Sequence, residues 1–263
     1  MCLVSAGWRL ACPVLAHVRC VDGNVAVANV LVHRTDRGHD GSMPRSLDEI
    51  ADELFSLHDT LTDLVVEKAN EEAALLAYGW YARVWHTARA ALVLHAQGFI
   101  TEAAPLRRSL LEHALSLQWI GHSPGPAYDA IAEKHQFEVE KFGDKLDEQS
   151  TISRDVIDEL LAVQLGRSPE SHLTHIYDLC KMYGPEGSYT AWFHETGQSH
   201  ASWSSATPYK TGRPTLDYSM DTMVVVWLIL ATSGFSMILL GDPWAEVAGR
   251  IDRELGELRS RSL

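Results

Sequence analysis

Cysteine is scarce: four in 263 residues (Cys2, Cys12, Cys20 and Cys180), three of them in the first twenty and none in a Cys-x-x-Cys pair. This excludes a disulfide framework and a zinc ribbon, and it fits a reducing, cytoplasmic setting. The chain has no Gly-x-Ser-x-Gly elbow, no P-loop and no Gly-x-Gly-x-x-Gly after a strand, so the hydrolase and nucleotide-binding classes they mark find no support. Thirteen histidines include no His-Glu-x-x-His and no paired Glu-x-x-His, so neither a zincin nor a di-iron bundle is written, and no metal or other cofactor is expected. Base is outweighed by acid, 22 against 35, for a net charge of -13. That argues against broad, non-specific nucleic-acid binding, which Lys and Arg drive by releasing counterions, and leaves room only for a local basic pocket. In the opening stretch MCLVSAGWRLACPVLAHVRC, Arg9 and Pro13 interrupt the apolar run before it becomes a secretory signal, and Arg9 stands where a lipoprotein signal needs an aliphatic residue.

What is present is helix. The expected fold is all-α, a multi-helix bundle over residues 43–263 with a buried central antiparallel hairpin, preceded by a poorly defined extension over residues 1–42. The extension reads either as sequence upstream of a true start at Met43 or as a small β-hairpin around VDGNVAVANVLV, where Asp-Gly-Asn is turn chemistry between valines. From Met43 the helical pattern is nearly continuous. Ser46 is a good N-cap, with Ile50, Leu54, Leu57 and Leu61 at helical spacing behind it. Glu71 to Gln97 is apolar on every side, as a central buried helix is. Gly98 is its expected C-cap, and Thr101, Glu102 and Pro105 open the next helix, so the two run antiparallel. Further helices are expected over about 128–146, 153–165 and 171–182, then a loop-rich stretch over 184–214 with a short helix at 189–200, then helix over 216–240. Pro243 opens a last amphipathic helix along Trp244, Val247, Ile251, Leu255 and Leu258.

Thr222 to Gly241 carries no charge and is long enough to span a bilayer. Asp217, Asp221 and Asp242 flank it where Lys or Arg anchors belong, and Ser233, Gly234 and Ser236 dilute it, so a core helix is favoured over a membrane span.

The strongest chemical signal lies in the hairpin. Between Ala73 and Leu111 the one acid is Glu102, against Arg83, Arg89, Arg107 and Arg108, with His86 and His95 beside them. Arginines held on the most apolar helices of an acidic chain either face an anion, which guanidinium binds through two parallel hydrogen bonds, or pair with acids of other helices such as Glu138, Glu140 or Asp158. Arg108 and Glu112 are four apart and share a face. Arg108 and His113, five apart, lie about 140° apart around the axis and do not converge without a kink or a second subunit. The pair His172 and His175 with Cys180, and the pair His194 and His200, are the remaining candidates for a metal. The serines at 199, 202, 204 and 205 fit a polar connection that caps neighbouring helix ends.

The string APLRRSLLEHALSLQWI, with an apolar helix before it and QSHASWSSA well after it, resembles a family of bacterial helical domains of unknown function. The shared pattern is an Arg-Ser-x-x-Glu helix with a downstream Ser/His segment, and the resemblance covers about 75–206. It implies that His200 lies opposite the Arg108 helix. That family is in turn distantly similar to HEPN domains, helical bundles that include metal-independent ribonucleases, whose signature is Arg followed by His four to six residues later. Arg108 to His113 fits the spacing, with Ser109 where Asn, Asp or His is usual. The resemblance implies that Arg108 would hold the phosphate and His113 move the ribose proton at a dimer interface.

The residues thus support a non-catalytic interaction or oligomerisation module, with Arg83, Arg107, Glu112 and His200 as ligand-contacting or network residues. The alternative is an HEPN-like, metal-independent endoribonuclease or RNA-binding protein of a toxin or defence system, using Arg108 and His113. A homo-oligomer is compatible with either reading, and RNA is a partner only under the second.

Overall fold

The computed structural model describes residues 17–21, 45–59, 61, 63–149, 168–211 and 220–261. Nine α-helices stand among them: α1 (Leu47–Asp59), α2 (Glu71–Ala96), α3 (Ala104–His122), α4 (Pro124–Gln149), α5 (Ile176–Tyr183), α6 (Ser188–Ser199), α7 (Trp203–Thr211), α8 (Met220–Ile238) and α9 (Ala245–Arg261). The fold is an all-α multi-helix bundle. The helix expected over 153–165 and all but the first residue of VDGNVAVANVLV lie outside the described residues.

The helix ends follow from local chemistry. At α1, the Ser46 hydroxyl accepts the Glu49 amide at 3.2 Å while the Glu49 carboxylate accepts the Ser46 amide at 2.7 Å, a reciprocal capping box. Gly98, at φ +84°, ends α2. The Gly98 amide donates to the His95 carbonyl and the Phe99 amide to that of Leu94, both at 2.9 Å, which is a Schellman motif and turns the chain back into α3.

At the centre, α3 packs between α2 and α8, with α8 its most extensive partner. Leu110, Leu111, Leu115, Leu117, Trp119 and Ile120 of α3 are buried, as are Val224, Val225, Leu228, Ala231 and Phe235 of α8. The apolar α8 is therefore packed as a core helix. Its length and composition alone would pass for a membrane span, and it is the one such helix among the described residues. An aromatic group ties the hairpin to it: Tyr81 of α2 stacks on Phe235 at 4.6 Å, with Trp244 against both.

Three local expectations are corrected. The near-continuous helix after Met43 is broken by a strand, β2 (Asp63–Glu67), which pairs in parallel with β1 (His17–Val21) from His17 opposite Asp63 to Val21 opposite Glu67. Leu64 and Val66 are buried, Val65 is only partly so, and Glu67 is exposed, a period of two that β-branched valines favour. The 171–182 segment is a 3-10 turn (Ser171–Thr174) and then α5, separated by extended backbone at His175. The loop-rich stretch after Gly184 holds a second helix, α7. Its start is sealed by Ser202 and Ser205, whose hydroxyls accept each other's backbone amides at 3.1 and 3.0 Å, so serines that read as loop residues act as a cap.

Candidate functional site

Arg107 projects from α3 into the core and is 1% exposed, while Glu195 of α6 is fully buried opposite it. The two carboxylate oxygens of Glu195 accept Nε at 3.0 Å and Nη2 at 2.8 Å, a two-point contact. Arg107 Nη1 donates to the Ile100 carbonyl at 2.7 Å and to His95 Nε2 at 2.8 Å. Guanidinium can only donate, so His95 Nε2 accepts and its proton sits on Nδ1, which donates to Asp221 of α8 at 2.7 Å. The result is a continuous line, Glu195–Arg107–His95–Asp221, joining α6, α3, α2 and α8. It runs from a carboxylate sealed in the core to one whose side chain is half exposed. The arginine's acid partner is thus Glu195 and not Glu138 or Glu140, which are exposed on α4. Asp158 lies outside the described residues.

A second cluster lies on the outer side of α3. Arg108 Nε donates to Glu112 at 3.0 Å, the expected pairing within the helix, and Arg108 Nη1 meets His200 Nε2 at 2.9 Å. The Trp192 indole of α6 donates to the same Glu112 oxygen at 2.7 Å, and the Arg108 guanidinium lies 5.4 Å from the Trp192 ring centre. These groups are about one-third exposed, apart from His200, which is exposed. Arg108, Glu112 and His200 therefore come together. Arg83 and His113 stand apart from them.

His113 faces α2. Its Nδ1 donates to the Ser109 carbonyl at 2.7 Å, and its ring meets Trp80 edge-on at 6.1 Å. Burial, with Arg83 adding to it, holds the imidazole below its ordinary pKa and hence neutral. His58 behaves alike: it stacks on Trp85 at 4.7 Å, sits 3.6 Å from Asp59, too far for a hydrogen bond, and has His86 and Arg89 nearby. Burial also depresses its pKa. The sign follows from linkage. Below pH of about 6.5 the unfolded chain takes up protons that the folded chain refuses, so stability falls with falling pH. The urea midpoint should be lower at pH 5.5 than at pH 7.5, two conditions about one pH unit either side of the ordinary histidine value. The drop should shrink in a His58→Gln/His113→Gln variant, and an unchanged drop would assign it to other groups.

No group of three or more His, Cys, Asp or Glu that could hold a metal exists among the described residues. His172 and His175 are exposed, and burial pushes the Cys180 thiol up to about 11, with Glu112 near it, so the sulfur stays protonated. Sequence reasoning passed over Glu195, although it is the one acid in the otherwise uncharged helix SYTAWFHETGQS. It met Asp221 only as a flank of the apolar run.

The protein is thus a helical bundle whose central helix carries two adjacent arginines into two different polar networks. The chain belongs to the DUF5677 family, a family of unknown function, whose model matches residues 74–212, just over half of the sequence. That span holds Arg107, Arg108, Glu112, His113, Glu195 and His200, and it stops short of Asp221. No curated protein and no solved structure matches the chain.

Proposed function

We propose that the chain is a non-catalytic interaction or oligomerisation module acting in the bacterial cytoplasm. The observation that carries this reading is that Arg107, Arg108 and His113 are each engaged inside the chain, and that Arg108 and His113 turn to different helices. Arg107 spends four N–H groups on Glu195, Ile100 and His95. Arg108 faces α6, whereas His113 faces α2 with Nδ1 bound to its own helix. Both networks link helices that are distant in sequence, which is what a rigid scaffold requires. The cytoplasmic setting rests on the sparse, unpaired cysteines, and the bacterial one on the sequence resemblance.

One contact favours a second reading, an HEPN-like, metal-independent endoribonuclease or RNA-binding protein. Arg108 meets an exposed imidazole, His200, at a partly open edge where a phosphate could compete for the guanidinium. The test is RNA incubated with the full chain in the absence of divalent metal, beside Arg108→Ala and His113→Ala. The module reading expects no cleavage by any of the three. Cleavage by the parent chain that both variants lose would replace it with the nuclease.

A further inference from the structure

Six of the ten exposed large hydrophobic side chains among the described residues fall between Tyr177 and Tyr209. They are not scattered within that stretch. Tyr177 of α5 meets Tyr189 of α6 edge-on at 5.1 Å, and Tyr189 stacks on Trp192 at 5.7 Å. Phe193, one turn beyond Tyr189 and 68% exposed, extends the row, and Arg108 closes its end above Trp192. The row borders a shallow pocket of about 300 Å³ between Tyr177, Lys181 and Tyr189. Aromatic side chains with a neighbouring Arg are enriched in protein interface cores.

Charge selects the occupant. The chain as a whole carries -13, yet the surface charges from Ile176 to Thr211 cancel: the exposed Glu186 and the half-buried Asp178 against the exposed Lys181 and Lys210, with Glu195 sealed against Arg107. Two copies of so acidic a protein repel over most of their surfaces. This neutral face is where they can meet, and an isologous contact brings the same patch of each copy together about a two-fold axis. A basic partner would instead be drawn to the acidic remainder. We infer that the α5–α6 aromatic face, Tyr177, Tyr189, Trp192 and Phe193, is a self-association surface that seats a second copy of this chain.

The inference deepens the module reading and rests on it, and the two fail separately. Sedimentation equilibrium of the full chain should give a dimer mass across micromolar concentrations. Added salt should tighten the dimer by screening the acidic surfaces. Tyr189→Glu and Phe193→Glu should each give a monomer with unchanged helical circular dichroism, whereas Phe137→Glu, on the exposed side of α4, should stay dimeric. A parent chain that is monomeric throughout overturns the inference, as does a dimer that survives in both folded α6 variants. So does a monomer that shifts only when single-stranded RNA or another protein is added. None of these results restores the nuclease, which stands or falls on RNA cleavage.

Discussion

Glu195→Ala is expected to lower the unfolding free energy by about 3–5 kcal/mol, because it strands a charged guanidinium in the core. Arg107 is 1% exposed and Glu195 fully buried, so water cannot take over the two hydrogen bonds that the carboxylate supplies. The bonds to Ile100 and His95 remain, but both acceptors are neutral and leave the charge unbalanced. Removing both charges is a different case. An Arg107→Met/Glu195→Leu variant replaces a desolvated ion pair with apolar volume and should recover most of the loss, since such a pair contributes little net stability once its desolvation is counted. Urea unfolding of the two single variants and the pair gives the coupling directly. If Glu195→Ala cost less than ~1 kcal/mol, as for an exposed pair, water would be reaching Arg107 and the core would be looser than its burial implies. The double variant also bears on function. A rigid scaffold should tolerate it, whereas a ligand site built on Arg107 should not.

The same pair shows where sequence reasoning stops. Arg108 and Glu112 are legible because four residues on a helix return to the same face, and the separation of Arg108 from His113 is legible for the same geometric reason. Arg107 and Glu195 are 88 residues apart, and His95 and Asp221 are 126 apart. No periodicity connects such positions, so the charge imbalance of the hairpin announced that acids were needed without saying which. The helical architecture was legible from apolar spacing, and Gly98 and Ser46 marked helix ends whose bonding the structure bears out. What escaped notice was structure made by packing or by unusual caps. A five-residue strand has too few positions to display a period beside helical neighbours, and α7, with Pro208 inside it and serines at its start, has the composition of a loop.

Gly234→Ala is the second substitution with a large expected effect, and it acts through backbone contact alone. A Cβ at Gly234 would lie 2.5 Å from the Leu117 carbonyl carbon and 2.6 Å from the Gln118 amide nitrogen, both main-chain atoms of α3. The approach is mutual: a Cβ at Gly121 would lie 2.3 Å from the Gly234 carbonyl oxygen. Neither obstacle can swing aside as a side chain would, so α3 and α8 must separate along their whole crossing. That separation also stretches the 2.7 Å bond from the Gln118 side chain to the Leu230 carbonyl. Overpacking of this kind costs about 1–3 kcal/mol and can exceed it, against a gain of about 1 kcal/mol for Ala over Gly in a helix. The net loss should lie toward the upper end of about 0–2 kcal/mol, because both obstacles are main-chain atoms. Gly79→Ala is the matched control, since Gly79 is exposed on α2 with nothing within 4 Å of its Cβ position. There the propensity term stands alone, and the variant should gain about 0.5–1 kcal/mol. Thermal unfolding midpoints should therefore move in opposite directions for the same chemical change. A Gly234→Ala midpoint at or above the parent's would mean that the two helices do not cross this closely. The glycine of α8, which in the sequence merely diluted an apolar run, is by this argument what lets its most extensive helix contact form.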